Sequence, residues 1–254
     1  MAHINKSEAL KQGVTVFVFL AILTALEFFV ALALGFTVLL VVIAMVKAGL
    51  VLYYYMHIYK LKAEASDDHE SFEYKTSTSR LGLWLFLLSD SFVFAGLLVS
   101  RFNLLGMTRP HLNQVLGLVV TAVLLISSFF MNRAETSMAN GDKKGFLAGT
   151  LVTIVLGIAF VVGVVGVEWQ LAAKEGVIAS KDTAGAIFYM MTGMHAFHVL
   201  TGVIFLLVVY FNARKDLYSA EKHWGVEAAT VYWHFVDVIW IFFYPALYLI
   251  GSLT

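Results

Sequence analysis

The chain has 254 residues, 60% of them hydrophobic and 13% charged, with 17 basic and 17 acidic side chains and no cysteine. A water-soluble domain of this length carries about a quarter charged residues, so the composition defines a polytopic membrane protein and excludes a soluble enzyme. Zero formal net charge gives no bulk pull toward nucleic acid, and the absence of cysteine excludes disulfides, cysteine-ligated iron–sulfur clusters and thiolate copper sites.

Taken in order, seven apolar stretches reach the length of about twenty residues that one bilayer crossing requires. They cover residues 14–34, 36–56, 81–99, 114–131, 146–167, 185–210 and 230–250. The first is long enough to span and lacks a small-residue cleavage pattern, so it reads as a span and not as a cleaved signal. The first two follow each other with almost no loop, at Gly35-Phe36. The longest polar segment comes next and holds Lys60, Lys62, Glu64, Asp67, Asp68, Glu70, Glu73 and Lys75. This divides the chain into a hairpin (1–57), a polar link (58–79) and a five-helix bundle (80–254). The expected fold is all-α, with seven transmembrane helices arranged as two plus five.

Orientation follows from the basic residues of the loops. With the N-terminus in the cytoplasm, cytoplasmic segments carry 12 lysines and arginines and outer segments carry 4. The sequence therefore places the N-terminus inside, the polar link in the cytoplasm and the C-terminus outside. No internal repeat is visible. The glycines are spread through the spans, a pattern that suits close helix packing.

Ionisable residues inside the spans are costly in hydrocarbon and must be paired or face protein. Glu27 and Lys47 lie on the two arms of the hairpin, offset by roughly 6 Å in depth at 1.5 Å per residue. A lysine side chain can bridge that offset, so a structural ion pair is expected. Asp90 and His198 lie ~15 and ~18 Å from the same membrane face. They are expected to touch, with His195 beside His198 on one helix face. His234 and Asp237, three residues apart, share a face of the last helix. Three or four convergent ligands are needed for a metal, and no Glu-x-x-His pattern is present, so no metal or haem site is expected on this chain. Glu168 and Trp169 end the fifth span, while Lys222, His223 and Glu227 stand at the entrance of the seventh. Such clusters are either ordinary helix ends or phospholipid head-group contacts.

From Arg80 onward the residues carry a family likeness. Leu81-Gly-Leu-Trp-Leu-Phe-Leu-Leu-Ser-Asp90 with Phe94-Ala-Gly96 resembles the third helix of subunit III of haem–copper oxidases. His195-Ala-Phe-His198-Val-Leu-Thr-Gly202 resembles its sixth helix. Glu227 through Asp237, with Tyr232-Trp-His-Phe-Val-Asp, is similar to its seventh, and Glu168-Trp169 falls where the family has an acidic–aromatic pair. The family usually has glutamine three residues before that glutamate, where this chain has Val165. The first two spans look instead like a prokaryotic oxidase subunit IV, on the marks Leu23-Thr-Ala-Leu-Glu27, Val46-Lys-Ala48 and Tyr55-Met-His-Ile58. The chain thus resembles a subunit IV–subunit III fusion joined through 58–79.

The resemblance implies a non-catalytic subunit of a cytochrome c oxidase-type complex in a bacterial cytoplasmic membrane. Haems and copper would sit on partner subunits. This chain would pack against subunit I beside subunit II, hold phospholipid and support proton uptake during proton translocation. A respiratory supercomplex is a larger assembly it allows. In the family's usual form a lipid-filled cleft splays the first two helices from the other five. The implied proton-support residues are Asp90, His195, His198, His234 and Asp237, and the implied lipid contacts are Lys222, His223, Glu227, Glu168 and Trp169. Two other readings stand beside this one. Quinol oxidases and nitric oxide reductases use similar chains. An independent proton-coupled transporter would also explain buried carboxylates, but it predicts broken helices and a repeat.

Overall fold

The computed structural model describes residues 6–33, 36–58 and 72–253. The joint at Gly35 and residues 59–71 of the polar link lie outside the described residues. Among the described residues, seven helices are long and apolar enough to cross a membrane. They are α1 (Lys6–Ala33), α2 (Thr37–Tyr55), α3 (Phe72–Leu105), α4 (Gln114–Ala139), α5 (Lys143–Lys174), α6 (Thr183–Arg214) and α7 (Trp224–Leu249).

Most helices outrun the apolar stretches that announce them. The third begins at Phe72, so the polar run from Glu73 to Arg80 is helix and not loop. The physical reason is that apolar length records the thickness of the hydrocarbon, while backbone hydrogen bonding carries the helix on into water. Local chemistry sets several ends. The side chains of Asn113, Asp142 and Asp182 each accept from a backbone N–H of the first turn, at Leu116, Gly145 and Gly185. Gly141, at φ 75°, makes the tight turn from α4 to α5. Three helices widen to π turns, at Val51–Tyr55, Val162–Glu168 and Pro245–Leu249. Pro245 has no N–H to give to the regular ladder, which suits it to the start of the last of these.

The seventh helix is the axis of the molecule. Every residue from Val226 to Leu249 except Phe242 is buried. It is also the least hydrophobic of the seven spans. The two facts agree, because a helix surrounded by protein does not need lipid-facing apolar residues. Helices α2, α3, α4 and α6 pack around it, α5 joins α4 and α6, and α1 lies outside against α4 and α2. Small residues let these helices approach. An added Cβ at Gly157 of α5 would meet Trp233 at 2.5 Å, and one at Gly149 would meet Ala134 of α4 at 2.9 Å.

The hairpin packs directly on α4 and α7. A groove separates it from α3, and this is where the splayed arrangement implied by the resemblance is found. At one end of the bundle the chain after α3 pairs with the C-terminus over two residues, Thr108 with Ser252 and Arg109 with Leu253, in parallel.

Candidate functional site

Where α2 and α3 diverge, a groove of about 670 Å³ opens onto α7. Leu52 and Met56 form one wall, Trp84, Leu88 and Phe94 the other, and Phe235 and Phe242 belong to the floor. Along α3 it runs from Leu81 to Leu98, a length of about 25 Å. Ser91 is on the wall, and its hydroxyl is spent on the carbonyl of Leu88 at 2.6 Å. The surface offered is apolar, long and narrow, which suits an extended hydrocarbon chain.

Arg80 immediately precedes Leu81, where the groove begins along α3. Its guanidinium grips Glu227 of α7 with two hydrogen bonds of 3.1–3.2 Å and lies 5.7 Å over the ring of Trp224. Glu227 is therefore a partner of Arg80 across two helices. The Nδ1 of His223 faces the carbonyl of Ser219 at 3.2 Å, and Lys222 is exposed.

On α3 between the lining residues Leu88 and Ser91, Oδ2 of Asp90 lies 3.2 Å from Nε2 of His198. The other ring nitrogen, Nδ1, is 2.8 Å from the carbonyl of Met194. A carbonyl only accepts, so Nδ1 carries a proton. Nε2 thus approaches the carboxylate as an acid–base contact between α3 and α6.

His195 does something different. The structure turns it away from Asp90 and into the core, where it is fully buried against Phe160, Trp240 and Phe243, with ring centroids 4.8–6.1 Å away. Two histidines three residues apart share a face only coarsely. Here the roughly 60° between them around the helix is enough to aim one at α7 and α5 and the other at α3. Both ring nitrogens of His195 lack a protein partner among the described residues. No group of three or more His, Asp or Glu residues converges on a metal-sized site among the described residues.

Glu27 and Lys47 meet in the hairpin at 2.5 Å, both buried. His234 and Asp237 meet through a third residue, Ser128 of α4. Its hydroxyl donates to Asp237 and lies 3.3 Å from Nδ1 of His234. Glu168 is buried and takes the hydroxyl of Tyr248. The helix continues past it to Lys174. Trp169 donates from its indole nitrogen to Thr192 at 3.0 Å, a bond between α5 and α6.

Sequence reasoning did not single out Ser128, Tyr248 or Arg101. Arg101, a loop residue by the apolar count, lies in α3 and is buried. It donates to the carbonyls of Ala246, Gly106, Thr108 and Ile250 at 2.6–2.9 Å. Arg109 donates to those of Gly251 and Tyr248 at 3.0 and 2.8 Å. Partial burial moves its guanidinium below the ordinary arginine range. A span boundary falling just short of an arginine was the one available hint.

Seven helices, a buried polar axis and a long apolar groove define a multi-pass membrane protein. Residues 3–252 match the family profile of cytochrome c oxidase subunit III. The chain is similar to cytochrome c oxidase subunit 3 of Equus caballus, 31% identical over 186 residues, which is 68% of this chain and 70% of that one. It is 33% identical to that of Bos taurus over 190 residues, with the same shares covered, and 32% identical to that of Felis catus over 186. The chain belongs to the cytochrome c oxidase subunit III family, and so to a complex with other oxidase subunits.

Proposed function

We propose that this chain is a non-catalytic subunit III of a cytochrome c oxidase-type haem–copper oxidase in a bacterial cytoplasmic membrane. In this reading it packs against subunit I, with haems and copper on the partner subunits. It holds phospholipid in the groove between α2 and α3 and supports proton uptake through the Asp90–His198 pair. The family match from residue 3 to residue 252 carries the reading. The groove supports its lipid part, because it is apolar along about 25 Å. The approach of Asp90 and His198, an acid and a base 3.2 Å apart between two membrane-spanning helices, supports the proton part.

Filling the groove tests the first part. Leu88→Trp with Ser91→Phe should lower the phospholipid retained by the purified complex in native mass spectra. Initial oxygen reduction should be unchanged, and activity should decay sooner during turnover. Unchanged lipid content with the groove filled would sink the lipid assignment.

The subunit IV likeness of the hairpin gives the reading a finer form, a fusion joined through 58–79. Its support is the three short marks in the first two helices and the polar link that follows them. The family match also takes in the hairpin, so the test is whether the two parts are separable. Made as two chains divided between Asp67 and Asp68, they should reassociate and copurify with the oxidase. Failure of the second chain to assemble would make the seven helices one subunit III unit.

A further inference from the structure

Between the hairpin and the other five helices runs a line of polar side chains that neither the groove nor the Asp90–His198 pair uses. It begins at a recess of about 200 Å³ lined by Gln12 of α1, Tyr55 and His57 at the end of α2, and Asn132 of α4. The hydroxyl of Tyr55 donates to the carbonyl of Gly13 at 3.1 Å, and its ring lies 4.9 Å from that of His234. Beyond it come Ser128 and Asp237. Since Ser128 donates to Asp237, its oxygen accepts from Nδ1–H of His234, and Nε2 of His234 is left as a bare acceptor.

Asp237 opens on a cavity of about 20 Å³ shared with Lys47, Thr24 and Thr121. That is space for about one water molecule, and the lining offers the polar partners a water needs. Lys47 is held by Glu27 at 2.5 Å. The line then passes to Tyr244, within electrostatic reach of Glu27, and to Tyr248, whose ring is 5.7 Å from that of Tyr244. Tyr248 ends it by donating to Glu168. From His234 to Tyr248 the line covers about 21 Å along α7.

Four buried polar atoms on this one line lack a protein partner among the described residues: Nε2 of His234, Oε1 of Glu27, the hydroxyl oxygen of Tyr244 and Oε2 of Glu168. Buried polar atoms are rarely left unsatisfied, and ordered water is the usual partner where protein is not. Their alignment points to water along the seam. A continuous file of water across a membrane would carry protons. Lys47 lines the cavity of about 20 Å³, and an ammonium has three donors and no acceptor, so it cannot pass a proton along such a file.

We propose that the seam between the hairpin and the bundle is a hydrated hydrogen-bonded file, and that Lys47, pinned by Glu27, is the barrier that keeps it from conducting protons. Glu27 has a positioning role, since it holds the cation in the file. The proposal concerns this chain's own interior and goes beyond its role beside an oxidase core.

The test uses the intact complex purified from membranes and reconstituted into liposomes containing a pH-sensitive dye, with no electron donor present. Passive proton influx driven by a potassium diffusion potential should rise at least tenfold in Lys47→Met. It should stay at the wild-type level in Glu27→Leu with Lys47→Leu, where apolar side chains close the file. Wild-type influx in an assembled Lys47→Met complex would overturn the barrier, and so would an equal rise in both variants, which would mark general loosening. A second measurement needs no variant. A wild-type density map that resolves waters elsewhere in the complex should place one between Asp237 and Lys47 and another between Glu27 and Tyr244. Their absence there, at that resolution, would overturn the hydrated file.

Discussion

Arg101 has no carboxylate opposite it among the described residues, yet it is fully buried. Four carbonyls at the ends of α3 and α7 take its place. Carbonyls at helix C-termini carry partial negative charge and lack partners of their own, so one guanidinium satisfies both helix ends together. Arg101→Met should lower the stability of the bundle by about 3 kcal/mol, because the carbonyls stay buried and lose their donor. Thermal unfolding of the complex in detergent, followed by loss of subunit III, measures it. A midpoint equal to wild type would show that the carbonyls find other partners. The Asp90–His198 pair obeys a related rule. Asp90→Leu alone leaves a half-buried ring nitrogen without its partner, at a cost of about 1–3 kcal/mol, whereas adding His198→Leu should recover most of that loss. A double variant less stable than the single one would contradict the account. Residue depth makes the contacts Glu27–Lys47 and Asp90–His198 legible, because a charge in hydrocarbon must find a partner at its own level. The same count cannot find Ser128 or the acceptors of Arg101. Hydroxyls and carbonyls bear no net charge, and nothing in a sequence marks which of them is spare.

At the scale of helices, the sequence names the spans but not the helix ends or the neighbours. Apolar length set the third span at 81–99, while the helix runs from Phe72 to Leu105. Packing partners depend on shape, and shape is carried here by glycine and tryptophan. Trp233 of α7 is gripped between Gly157 of α5 and Gly202 of α6, where added Cβ atoms would stand 2.5 and 3.0 Å from its ring. Its indole nitrogen donates to Ser127 of α4 at 3.1 Å, so the ring cannot simply withdraw. Gly157→Ala should therefore cost about 1–3 kcal/mol through overpacking. Gly82→Ala, on an exposed part of α3 with nothing within 4 Å of the new Cβ, should be neutral or slightly stabilising. The same thermal assay compares them. Equal midpoints would mean that α5 and α6 move apart at little cost. In the sequence both residues are single glycines in an apolar helix, so only the fold separates them.

For the whole molecule, the question is which end faces the cytoplasm. The fold gathers the loops into two groups. Lys143, after the α4–α5 turn, contacts Asp216 and the carbonyl of Arg214 at 2.5 and 3.2 Å, which puts the α6–α7 loop at the same end. His111 faces Glu175 at 3.3 Å, joining the α3–α4 and α5–α6 loops at the other. The first group carries Arg133, Lys143, Lys144, Arg214, Lys215 and Lys222. At the second, Arg101 and Arg109 are turned into backbone carbonyls, so Lys174 and Lys181 are the basic side chains of its α5–α6 loop. The excess of basic residues that retains loops in the cytoplasm thus lies at the α4–α5 and α6–α7 end. That predicts an inside N-terminus and an outside C-terminus. Because the chain has no cysteine, a single introduced thiol reports its side without background. Ser180→Cys, in the exposed α5–α6 loop, should react with an impermeant maleimide in cells whose cytoplasmic membrane is intact but accessible. Ser219→Cys, in the exposed α6–α7 loop, should react only after that membrane is opened. The reverse pattern would invert the chain. The Leu81 end of the groove and the recess at Tyr55 would then face outward, where neither could serve proton uptake from the cytoplasm.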